Sequence, residues 1–154
     1  MAKKAYLFLA EGFEEIEAIT PIDVLRRAEI ETVTVSISGT KHVTGAHGIS
    51  IEADVLLAHL NVADADLLVL PGGMPGTKHL GECQPLLDML VAHAQSGKLT
   101  SAICAAPSIL GMLGLLNGKE ATCYPGWEDK LTGALFAKQP WIVDGNIEIG
   151  RAHV

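Results

Sequence analysis

Leu99 to Gly118 carries no charged side chain and lies between Lys98 and Lys119, so twenty consecutive residues of this chain are set apart from water. A bilayer-spanning helix needs about 20 apolar residues. This stretch is broken by Ser101, Cys104, Pro107, Ser108, Gly111, Gly114 and Asn117, and its β-type first half gives way to helix formers. It therefore predicts a buried strand, Leu99–Ile103, running into a buried helix, Ala105–Leu113, with Pro107 in the first turn where a missing N–H costs least. Cys104 sits at the join.

The rest of the chain repeats that alternation. Lys4–Leu9 is a short apolar strand, and Glu14–Ala28 is a helix with acids early and Arg26-Arg27 late, bent at Pro21. Glu31–Ser38 alternates as a strand and turns at Gly39-Thr40-Lys41 toward an extended stretch at Ile49 and Ile51. Leu67–Leu70 is wholly apolar and ends in Pro71-Gly72-Gly73-Met74-Pro75-Gly76. Pro85–Gln95 is a helix closed by Gly97, Glu120–Cys123 and Trp141–Val143 are strands, and Asp144-Gly145 turns tightly into Asn146–Ile149. Serial βα units with short loops predict one α/β domain, a three-layer sandwich around a mostly parallel sheet.

Composition narrows the partners. The chain has 154 residues, 49% hydrophobic and 19% charged, which excludes disorder and coiled coil. A net charge of −7 disfavours a phosphate backbone, so nucleic acid is not expected. Ala5–Ala10 is too short for a secretory core, no membrane span is expected, and the location read from the chain is cytoplasmic. Three cysteines, Cys83, Cys104 and Cys123, make no disulfide framework.

Ligands collect at the carboxyl ends of parallel strands. There, Ser101-Ala-Ile-Cys104-Ala-Ala-Pro107 presents a thiol on a strand-to-helix turn of the kind that lifts a nucleophile out of a sheet. Helix amides favour the thiolate, so the spacing predicts a lowered Cys104 pKa; the bland alternative is an inert buried cysteine. The Pro71–Gly76 loop either cradles an anion with its amides or is a turn that needs glycine for geometry; it lacks the Gly-Lys-Ser/Thr ending of a P-loop. Glu14 and Glu15 read as solvated dipole partners, whereas Glu17, on the same helix face as Phe13 and Pro21, reads as turned inward. His79 and Cys83 have no companion pair, the other histidines read as solvated or locally satisfied, and no metal is expected.

Ala10-Glu-Gly-Phe-Glu-Glu-Ile-Glu17, Pro21-Ile-Asp-Val-Leu-Arg-Arg27, Leu70-Pro-Gly-Gly73 and Ala102-Ile-Cys-Ala-Ala-Pro107 together resemble the DJ-1/ThiJ/PfpI family, in its DJ-1-like branch, from about Lys4 to about Ile147. The resemblance implies a flavodoxin-like sandwich, a cytosolic homodimer and a site without metal or organic cofactor. It matches Cys104 to the reactive cysteine and Glu17 to a protonated glutamic acid bonded to the thiolate. Gly73 and Ala105 match the positions whose amides form the oxyanion pocket, and Asp23 and Arg27 match positions near the dimer contact and pocket. Tyr124 stands where many members place a histidine, and Ala105 where protease-like members place one, so a Cys-His peptidase is not expected. The implied activity is of glyoxalase III/deglycase type, on a small aldehyde such as methylglyoxal or on glycated protein. The alternatives are a redox-responsive stress protein or chaperone signalling through oxidation of the same cysteine, and a binding module with an inert thiol. The family pattern continues past Asp144-Gly-Asn146 into another strand and helix. Residues 149–154, Ile-Gly-Arg-Ala-His-Val, therefore read as a non-native tail on a shortened domain, since a common sequencing adapter encodes the same six residues in frame.

Overall fold

Alternation of apolar side chains along each strand decides the architecture, because residues of opposite parity must each be covered. The computed structural model describes residues 3–153. In chain order the elements are β1 (Lys4–Leu9), α1 (Glu15–Arg27), β2 (Glu31–Ser36), β3 (His42–Thr44), β4 (Ser50–Glu52), β5 (Val55–Leu56), β6 (Leu67–Leu70), α2 (Gly76–Gly81), α3 (Gln84–Gln95), β7 (Leu99–Ile103), α4 (Pro107–Met112), β8 (Glu120–Ala121), β9 (Leu135–Phe136), β10 (Trp141–Asp144) and β11 (Ile147–Gly150). A seven-stranded sheet runs β10-β11-β7-β6-β1-β2-β5. All its pairings are parallel except that of β10 with β11.

Tyr6 and Phe8 of β1 face a cluster with Leu80 of α2, Leu86 and Leu90 of α3 and Leu110 of α4. Leu7 and Leu9 face the other way, onto Phe13, Ala18 of α1 and Val43 of the β3–β4 hairpin. Burial of each such leucine or phenylalanine stabilises the fold by about 1.5–3 kcal/mol. The result is a mostly parallel α/β sheet covered by helices on both faces. Strand order reverses between β1 and β6, and the crevice above a reversal is where such sheets hold ligands.

Two expectations are corrected. The Pro71–Gly76 loop is not all loop, because α2 begins at Gly76; that glycine serves close approach, since a Cβ there would stand 2.7 Å from the Phe13 backbone nitrogen. The strand expected over Glu120–Cys123 stops at Ala121, and the chain beyond it turns so that the Tyr124 N–H donates to the Cys104 carbonyl at 2.8 Å. Leu99–Gly118 is resolved as a strand and a six-residue helix, and among the described residues no helix is long and apolar enough to cross a membrane.

Candidate active site

At the end of β7 the backbone is pinned on both sides of one residue. The Cys104 N–H donates to the Gly150 carbonyl at 3.1 Å, and its own carbonyl accepts from Tyr124. Between these bonds Cys104 adopts φ 65°, left-handed backbone that an L side chain occupies at a cost of about 1–3 kcal/mol. Such strain on a residue at a strand-to-helix turn aims its side chain out of the sheet. The thiol is 8% exposed and borders a cavity of about 430 Å³ whose walls include Glu14, His47, Met74, Tyr124 and Trp127.

Glu17 reaches the thiol from α1, its side chain fully buried. Its Oε2 accepts the Gly72 N–H at 3.0 Å, its Oε1 lies 2.8 Å from His153 Nδ1, and its carboxyl lies beside the Cys104 sulfur across Gly72. The amides of Ala105 and Gly73 also point at that sulfur, Gly73 through φ 93°. Any Cβ on Gly73 would meet the backbone of Phe13 at 2.7 Å.

The expected fall in the thiol pKa is overturned. Burial pushes Cys104 up, the Glu17 charge and its hydrogen bond push it further, and together these outweigh the Ala105 and Gly73 amides, so that it stands at about 12. Two of these causes come from Glu17, so the carboxyl beside the thiol bears directly on its proton loss. Cys123 is likewise held up, at about 11, chiefly by burial, and all three cysteines are free.

Of the residues singled out in the sequence, Cys104, Glu17, Gly73 and Ala105 come together, and Tyr124 lines the same cavity. Asp23 and Arg27 do not: they form an exposed pair, Arg27 Nε to Asp23 Oδ2 at 2.8 Å, further along α1, and border neither this cavity nor the one behind Glu17. The solvated reading of Glu14 and Glu15 is also corrected, since they are only 9% and 4% exposed. Glu15 Oε1 accepts the His47 N–H at 2.7 Å and, at 3.4 Å, that of Ile49, while Oε2 lies 2.9 Å from His47 Nδ1. Burial alone raises the Glu15 carboxyl, but these bonds outweigh it and hold the carboxyl below its ordinary value; His47 is raised in return, first by its bond to Glu15. Sequence spacing offers only His79 and Cys83 for metal ligation, without a companion pair, and no metal is expected from it. The fold instead gathers ligand atoms of Glu14, Glu15 and His47 within 4.8 Å of one another. His47, Trp127 and His153 had no signal along the chain, because each enters from a different loop.

The chain is 40% identical over 151 residues to Protein DJ-1 homolog B of Arabidopsis thaliana, covering 97% of this chain and 34% of that protein. It thus spans about a third of that relative's length. It is 36% identical to the Glutathione-independent glyoxalase DJR-1.2 of Caenorhabditis elegans, over 85% of this chain and 70% of the relative. To Deglycase PH1704 of Pyrococcus horikoshii it is 33% identical, over 93% of this chain and 86% of the relative. The solved structure of oxidized Toxoplasma gondii DJ-1 superposes with a TM-score of 0.94 at 35% identity, over 98% of this chain and 83% of that one. The model of the DJ-1/PfpI family matches residues 3–152: the chain belongs to that family.

Proposed function

We propose that the protein is a cofactor-independent cysteine enzyme of glyoxalase III/deglycase type, acting on α-oxoaldehydes such as methylglyoxal. The observation that carries this reading is one thiol, held at φ 65°, facing a buried carboxyl and two backbone amides. Among the described residues no histidine is bonded to the Cys104 sulfur, which favours chemistry that a thiol and a carboxylic acid complete by themselves. The names of two relatives, a glyoxalase and a deglycase, support it.

In this reading the Glu17 carboxylate takes the proton of the Cys104 thiol, and the thiolate so formed adds to the aldehyde carbon. The C–S bond forms as the carbonyl π bond opens. The resulting oxyanion meets the amides of Gly73 and Ala105 and takes the Glu17 proton, giving a hemithioacetal. The Glu17 carboxylate then removes the hydrogen from that carbon, an enediol forms, and the proton returns to the neighbouring carbon. The former aldehyde carbon is thereby oxidised to a thioester and the former ketone carbon reduced to an alcohol. Water cleaves the thioester, releasing a 2-hydroxyacid and restoring the thiol. His153 takes no proton in this route; its Nδ1, 2.8 Å from Glu17 Oε1, orients the carboxyl. The homodimer is part of the same proposal, with Asp23 and Arg27 at its contact, and sedimentation of the chain tests it.

The deciding experiment is lactate formation from methylglyoxal by the wild type and by Cys104→Ser. Loss in the variant is expected, and unchanged turnover overturns the mechanism. Selective oxidation of Cys104 by low peroxide in a protein that turns over no aldehyde carries the redox-sensor reading instead.

A further inference from the structure

We propose that Glu14, Glu15 and His47 form a binding site for a divalent transition-metal ion of the Zn2+ class, at the mouth of the Cys104 cavity. Three side chains from two places in the chain, the start of α1 and the β3–β4 turn, aim their ligand atoms at one point. His47 Nδ1 lies 2.9 Å from Glu15 Oε2 and 3.6 Å from Glu14 Oε2. These spacings bracket the edge of about 3.3 Å expected between ligands of a tetrahedral ion with bonds of about 2.0–2.1 Å.

Glu14 supplies the independent observation. The residue is 9% exposed, it lines the cavity, and among the described residues its carboxylate accepts no hydrogen bond. Its nearest cationic groups are the imidazoles of His47 at 3.6 Å and His153 at 4.0 Å, both beyond hydrogen-bond distance, and an ion held by the cluster is a closer partner for this carboxylate. His47 Nδ1 stands 2.9 Å from Glu15 Oε2, and binding the ion would displace any hydrogen the two share. Glu15 is oriented for the task, since the His47 amide holds its Oε1 at 2.7 Å and leaves Oε2 facing inward.

The donor set chooses the ion. One imidazole and two carboxylates without a thiolate suit Zn2+ or a neighbouring first-row ion, and two negative ligands neutralise its charge. Three protein ligands leave a fourth position open, which faces the cavity because Glu14 and His47 border it. A bound ion there narrows the approach to the thiol, so Zn2+ slows alkylation of Cys104. This site does not depend on the aldehyde chemistry, since binding is read without substrate.

The test is calorimetric titration of the EDTA-treated full chain with ZnCl2, on wild type, Glu14→Gln, His47→Ala and Cys104→Ser. We expect one ion per chain, binding weakened at least about tenfold in Glu14→Gln and in His47→Ala, and wild-type binding in Cys104→Ser. Circular dichroism melts establish that each variant is folded, and Glu14→Gln preserves side-chain shape should His47→Ala disturb the turn. No heat of binding, wild-type affinity in both site variants, or loss of binding in Cys104→Ser each overturns the proposal, the last by making the thiolate the ligand.

Discussion

Glu17 and Cys104 close on Gly72 from two sides, and the space between them is the size of a hydrogen. A Cβ on Gly72 would stand 2.7 Å from Cys104 Cβ and 3.1 Å from its sulfur while also striking Glu17 Oε2. Gly72→Ala must therefore part the carboxyl from the thiol. Overpacking of this kind costs about 1–3 kcal/mol, so the variant should melt several degrees lower and form no lactate. A variant with wild-type turnover would show that the Glu17–Cys104 contact is dispensable.

Proton transfer and thiol reactivity should separate at Glu17. Glu17→Gln keeps the shape and a donor group but has no proton to exchange. Turnover should fall by about 10²–10⁴, the usual worth of general acid–base catalysis. Alkylation of Cys104 should persist, because the charge that helps hold the thiol at about 12 is gone. Peptide mass spectrometry after iodoacetamide treatment checks this; loss of both properties would make Glu17 a builder of the site rather than a proton carrier.

Asp54 ties β2 to α1 and sets a pH dependence. Its Oδ2 accepts the Thr34 N–H and hydroxyl, each at 2.8 Å, and the Arg26 Nη2 at 2.9 Å. Partial burial raises this carboxyl, but the Thr34 and Arg26 bonds outweigh it and hold it below 3.8. A depressed carboxyl stabilises above its unfolded pKa, and the contribution fades as pH falls through the folded value. Asp54→Ala should lose about 1 kcal/mol at pH 7, a figure reduced for its half-exposed position. The melting difference from wild type should narrow below about pH 4; a constant difference at pH 7 and pH 3 would contradict the role of the charge.

Trp141 stands 64% exposed beside a cavity of about 350 Å³, with Ile16 at 55% and Val24 at 56% on the opposite wall. An apolar surface of this extent attracts hydrophobic dyes and like surfaces. Trp141→Ser should lower anilinonaphthalene sulfonate fluorescence and concentration-dependent light scattering; unchanged signals would place the dye elsewhere.

What the sequence determined by itself is what depends on near neighbours. The periodicities of β1, α1, β6, α3 and β7 are local, and so is the boundary that puts Cys104 at the end of a strand and ahead of a helix. Glu17 was legible as an inward acid because the apolar face of α1 is written in its own turn. The tertiary structure decided what these groups meet. The same glycine chemistry that stops a helix also permits close packing, so the start of α2 at Gly76 is not legible in the chain alone. Glu14 and Glu15 looked like solvated helix-dipole partners until the β3–β4 turn brought His47 over them. Cys104 ionises against Glu17, which β6 and α1 place beside it, and burial and charge act through space rather than along the chain. Local order places the nucleophile; only the fold sets its protonation and the side chains around it.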